Sequence, residues 1–175
     1  MGVNDLVAIA EAKKYFRMNI NKKHMLNGIS LINPETITIG HEVKLCAGVI
    51  VYPNTTITGN TQIEEKVVVG PNTELHNAYI KKEAQIRHSL IHDSTVGERT
   101  TVGPFAHLRN NAIIGNDNRI GNFVEVKDSS TGNQTKASHL AYIGDAKIGN
   151  RVNFGAGSVT VNFDGVKKTS NLNWK

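Results

Sequence analysis

Branched aliphatic residues return at every sixth position through most of this chain. Counting from Ile39, the sixes fall on Leu45, Val51, Ile57, Ile63, Val69 and Leu75. Three shorter steps of five residues, reaching Ile80, Ile91 and Val96, interrupt the count, with Ile86 between them. Sixes then resume at Val102, Leu108, Ile114, Ile120 and Val126, and a last group stands at Ile143, Ile148 and Phe154. Glycine directly follows the apolar residue at Gly40, Gly70, Gly97, Gly103, Gly115, Gly121, Gly144, Gly149 and Gly155. A helix repeats near 3.6 residues and a half-buried strand near 2, so neither explains a period of six. Short flat strands, each ending in a turn and wound into a parallel β-helix, do explain it. Three such faces make a triangular coil. The aliphatic side chain points into the prism and stacks on its counterpart in the next coil, about 4.8 Å away. Glycine, Asn and Asp at the corners tolerate the backbone angles a sharp turn needs. Residues 39 to 160 hold about seven coils of roughly eighteen residues. Periodicity does not set the hand of the winding.

The ends of the chain break the pattern. Leu6, Ile9, Ala10, Lys13 and Phe16 recur at helical spacing, and Asp5 is placed to cap a helix over residues 5 to 25. A helix of that length without a helical partner is expected to pack on the prism or on a neighbouring domain. Pro34, in "INPETITIG", marks the passage into the coils. After "VTVNFDGVKK" the rhythm disappears, and residues 169–175 are expected to be an irregular tail. The last coil then leaves a stacking face uncovered, from which we expect further coils to be missing.

Composition narrows the class. The formal net charge is +5, but Lys and Arg are scattered in short pairs such as Lys81-Lys82, and aromatic residues make up only 6%. Nucleic-acid proteins concentrate such charge in a patch with interleaved aromatics. Small anionic ligands fit better. The single Cys46 allows no internal disulfide and suits a reducing compartment, and it has no basic or helical setting to make it a nucleophile. No apolar run reaches the ~18 residues of a membrane span, and the N-terminus does not have the pattern of a signal peptide. A cytoplasmic protein is expected.

Several motifs are longer and more specific than the hexapeptide period. They are "GVND" before the helix, "KHMLNGI", "TVGPFAHLR", "IGNFVEVK" and "KASHLAYIGDAKIGNRVNFGAGSVTVNFDG". In this order they resemble the bacterial bifunctional UDP-N-acetylglucosamine pyrophosphorylase/glucosamine-1-phosphate N-acetyltransferase family. The resemblance implies a mainly β fold, a left-handed parallel β-helix with an N-terminal linker helix. It divides the chain into residues 1–28, the end of a nucleotidyltransferase domain with that helix, and residues 29–168, most of the acetyltransferase β-helix.

The implied reaction moves acetyl from acetyl-CoA to glucosamine 1-phosphate. An ammonium cannot attack a thioester, so a base must take its proton. His139 matches the family's base, and an imidazole titrates in the range this task needs. Without the surrounding motif, a lone His in a β-helix would read as a solvated turn residue. Arg109 and Lys127 match sugar-phosphate positions. Eighteen residues separate them, one full coil, so they are expected to stand one above the other and grip one phosphate. Arg109, Lys127 and His139 are expected to surround a single amino-sugar pocket. Tyr142 and Asn153 match further sugar-ligand positions; Ala156, Asn162 and Phe163 match acetyl-CoA contacts, with Phe163 where the family usually has Tyr. Asn110 and Asn111 also depart from the family's usual Arg-Pro-Gly. Asn4 matches a residue that helps hold Mg2+ in the first domain of the complete enzyme. The rest of that domain is absent, so no uridylyl transfer is expected. The resemblance also implies a homotrimer, with pockets shared between neighbouring subunits.

Two other readings compete. Prism-shaped trimers of the γ-carbonic anhydrase kind hold zinc with three histidines, and His88 and His92 lie close together here. A non-catalytic fragment that only trimerises is the second.

Overall fold

The computed structural model describes residues 5–162 and the backbone of residues 172–174. The period of six becomes a parallel β-helix with three walls. One wall stacks strands such as Ser30–Leu31, Ile50–Val51, Val68–Val69, Gln85–Ile86 and Thr101–Val102. The second stacks Thr38–Ile39, Thr56–Thr58, Glu74–His76, Leu90–His92 and His107–Arg109. The third is eight-stranded and runs from Lys44–Leu45 to Leu172–Trp174. Two nine-residue strands, Arg119–Lys127 and Lys136–Gly144, bend round a corner and belong to both the first and second walls.

The aliphatic column of each wall forms the core. On the second wall Ile57, Leu75, Ile91, Leu108, Val126 and Ile143 are fully buried. Each such side chain contributes roughly 2 kcal/mol through its removal from water. The five-residue steps shorten a coil without breaking the stack: Lys44 pairs with Gln62, eighteen residues on, but Tyr79 with Thr95, only sixteen on. The missing residues come out of corners, where Asn77, His88 and Asp93 adopt positive φ.

A second interior position escaped the sequence reading. Small residues two places before the aliphatic also point inward, among them Thr55, Thr61, Ala78, Thr100, Ala106 and Ala112. Two of these threonines satisfy their hydroxyls on carbonyls: Thr61 donates to Thr58 O at 2.6 Å and Thr100 to Gly115 O at 2.8 Å, whereas the buried Thr55 hydroxyl has no hydrogen-bond partner among the described residues.

The helix, α1, spans Leu6–Leu26, and Asp5 caps it by accepting from the Ala8 amide at 2.8 Å. Only its C-terminal half packs on the prism. Ile20 reaches the core, and fully buried Asn21 donates to Pro34 O and Ile37 O, both at 2.9 Å. Leu6 and Phe16, which recur at helical spacing, remain exposed. The anchor is therefore a polar residue that periodicity does not pick out.

One expectation for the far end is corrected. The backbone of Leu172–Trp174 is not irregular but forms a strand parallel to Ala146–Ile148. The open edge of that coil carries unpaired N–H and C=O groups, and a backbone can pair with them without aliphatic rhythm.

Candidate active site

The second wall presents two outward columns, one on each side of its buried aliphatic column. The first descends through Thr56, Glu74, Leu90, His107, Glu125 and Tyr142; the second through Thr58, His76, His92, Arg109, Lys127 and Gly144. Strand periodicity forces this arrangement, since residues on either side of an inward residue point outward together.

Arg109 lies directly above Lys127 in this register, as expected from their spacing. Neither cation stands in open solvent. Arg109 donates from Nε and Nη2 to Oε1 of Glu125, at 2.7 and 2.6 Å. Lys127 Nζ lies 3.1 Å from Oδ2 of Asp145, and Asn162 Nδ2 reaches the same carboxylate oxygen. The Asn162 amide also donates to the Tyr142 hydroxyl at 3.3 Å. The Tyr142 ring lies across Gly144: a Cβ built on that glycine would meet the phenol oxygen at 2.5 Å. Arg109, Lys127, Tyr142 and Asn162 are thus gathered with two carboxylates, Glu125 and Asp145, that sequence reasoning passed over. For Asp145 a signal was available, since it follows Lys127 by one coil of eighteen residues; Glu125, sixteen residues after Arg109 and in register with His107, carried none.

Above this cluster three imidazoles form a ladder. His76 and His92 meet edge to face at 6.1 Å between centroids, and His92 and His107 at 6.2 Å. Burial lowers the pKa of His107; Glu125 opposes that shift, and Arg109 and His92 add to it. His88, by contrast, turns a corner against Phe105, so it does not share a site with His92. Among the described residues no group of three His, Cys, Asp or Glu side chains is arranged to hold a metal ion.

His139 is not part of the cation column, so this chain by itself does not place Arg109, Lys127 and His139 around the single amino-sugar pocket expected of them. It pairs with Asn122 in the ladder, whereas Lys127 pairs with Gly144, five residues further along the same strand. That is up to about 16 Å of extended chain, with a corner at Leu140, where φ is 45°. The imidazole is exposed, and its Nδ1 lies 2.6 Å from Asn122 Oδ1. Ala156 stands in a turn over the same corner, since the Gly157 amide donates to Leu140 O at 2.8 Å. Asn153 sits apart on the first wall, paired with Lys136. Phe163 and Asn4 lie outside the described residues. Spacing by multiples of a coil reports which residues stack; it does not report where along a wall a column lies, and so it does not separate His139 from the cation column.

The chain therefore divides these side chains between a cluster of paired cations at one end of a wall and a corner bearing an exposed imidazole, both carried on a hexapeptide β-helix. The family model for the GMPPB C-terminal domain matches residues 32–129, and the chain belongs to that family. The chain is also similar to part of the bifunctional GlmU proteins. Over 168 residues the chain is 67% identical to the "Bifunctional protein GlmU" of Acholeplasma laidlawii (strain PG-8A) and 50% identical to that of Geobacillus sp. (strain WCH70). These matches cover 96% of this chain but only 36% and 37% of those proteins, so the chain spans little more than a third of their length. Among solved structures, a UDP-N-acetylglucosamine acyltransferase aligns over 69% of this chain and 61% of its own, with 16% identity and a TM-score of 0.35. That likeness is too distant to bear on the site. No helix among the described residues is long and apolar enough to cross a membrane.

Proposed function

We propose that this chain carries the acetyl-transferring part of a bifunctional GlmU protein, moving acetyl from acetyl-CoA to the amine of glucosamine 1-phosphate. The product, N-acetylglucosamine 1-phosphate, feeds UDP-N-acetylglucosamine synthesis. In this reading the prism winds left-handed, resides in the cytoplasm and works as a homotrimer, while uridylyl transfer and its Mg2+ belong to the part of the relatives that these residues do not match.

The observation that carries the reading is the stacking of Arg109 on Lys127 beside Tyr142 and Asn162. Arg109 spends only part of its fork on Glu125, which leaves other guanidinium N–H groups for a phosphate. Glu125 and Asp145 hold the two cations in place until the phosphate arrives and keep the cluster near neutral without it. The His139 corner and the Ala156 turn above it supply the other half of the pocket, and a neighbouring copy brings one half to the other.

The chemistry balances simply. The sugar ammonium loses one proton to solvent, and His139 takes a second as the amine nitrogen bonds to the thioester carbonyl carbon. The tetrahedral intermediate collapses with cleavage of the C–S bond. The departing thiolate takes the proton from the imidazolium, giving the amide, free CoA and one proton in solution.

The test is acetyl transfer followed by release of CoA thiol, with glucosamine 1-phosphate as acceptor. His139→Ala is expected to lower turnover at least a hundredfold while leaving the circular dichroism spectrum unchanged. Equal turnover in both proteins, or none in either, would sink the proposal. The second outcome would favour a chain that only assembles.

A further inference from the structure

We propose that Asn122 is a positioning residue for His139, fixing which ring nitrogen carries the proton and which is left to act. The inference rests on the reading of His139 as the base. It is drawn from the corner itself. Asn122 precedes His139 by one coil in register, and its carboxamide oxygen lies 2.6 Å from Nδ1. A carboxamide oxygen only accepts, so Nδ1 must carry the proton and Nε2 keeps its lone pair. Because His139 is exposed, that lone pair is open to an approaching amine.

The residues flanking Asn122 hold it there. Gly121 lies so close to the next coil that an added Cβ would sit 1.9 Å from Ser138 O. Phe123 turns the corner with φ 57° and stacks on Phe105, with centroids 5.5 Å apart and rings 10° from parallel. A close glycine contact on one side and a ring stack on the other fix the backbone that presents the amide. An imidazole locked in one tautomer and one orientation loses less freedom on reaching the transition state.

The experiment has a kinetic arm and a spectroscopic arm, both on the full chain. Asn122→Ala is expected to lower kcat for acetyl transfer about tenfold or more, with KM for glucosamine 1-phosphate within about twofold of the parent. Asn122→Asp restores most of the rate and moves the acid limb of its pH profile upward, because a carboxylate favours the protonated ring. In a His139→Ala background, Asn122→Ala costs nothing further. Nitrogen-15 NMR of neutral His139 shows Nδ1–H in the parent and a mixture of tautomers in Asn122→Ala. An unchanged kcat, or a full additional loss in the His139→Ala background, overturns the proposal. Should the parent show no turnover at all, the acetyl-transfer reading falls. The tautomer then decides for Asn122 alone: Nδ1–H in the parent, lost in the variant, supports the pairing, and any other result overturns it.

Discussion

Asp145 holds Lys127 by an ion pair of 3.1 Å in which the two side chains are only 8% and 12% exposed. Removing one partner of such a pair leaves a charge with little access to water. Asp145→Asn is therefore expected to destabilise the fold by about 3 kcal/mol in urea unfolding. Asn suits the positive φ of 51° at this corner, so backbone strain does not confuse the comparison. Adding Lys127→Met should recover most of the loss, because it removes the stranded charge. A neutral single variant would show that the pair is better solvated than its burial implies.

Gly121 and Gly155 give a paired test of coil stacking. A Cβ at Gly121 would lie 1.9 Å from a carbonyl oxygen of the next coil, whereas at Gly155 the nearest atom among the described residues is 3.9 Å away. Gly121→Ala must separate two backbones and is expected to cost about 3 kcal/mol or more. Gly155→Ala should fall within about 0.5 kcal/mol of the parent. Similar melting temperatures for the two variants would contradict the stacking.

The histidine ladder predicts a pH dependence of stability. Burial lowers the pKa of His107, with Glu125 opposing and Arg109 and His92 adding, and burial also lowers that of His24. The unfolded chain takes up these protons near the ordinary value of 6.5, before the folded chain does. The contribution is fully present above that pH and is lost as the pH falls toward the folded values. Tm should therefore drop between pH 7.5 and pH 5, and His107→Gln should flatten the drop. An unchanged slope in that variant would assign the effect elsewhere.

Much of this fold was legible because its signal is repeated. Each coil shows an inward aliphatic residue, and the stacking of Arg109 on Lys127 follows from counting one coil. The small inward residues such as Thr55 and Ala112 were harder to see, since Thr and Ala are equally common outside a core. Asn21, the anchor of the helix, has no periodic signature at all. Within the site, the residue types that resemblance singled out did not reveal their counter-charges. Asp145 could have been found by counting one coil from Lys127, whereas Glu125 became visible only through side-chain geometry. Nor could spacing show that His139 lies before a corner and the cations at the far end of the next wall, because both arrangements share the same count of residues per coil.

The most direct test of the account is calorimetric titration of the chain with glucosamine 1-phosphate. The account predicts saturable binding that Arg109→Ala and Lys127→Ala each weaken by roughly ten- to a hundredfold, the worth of a charge-assisted contact. Lys147→Ala, which removes an exposed charge on the third wall, should leave it unchanged. Absence of binding, or equal loss from all three substitutions, would contradict it.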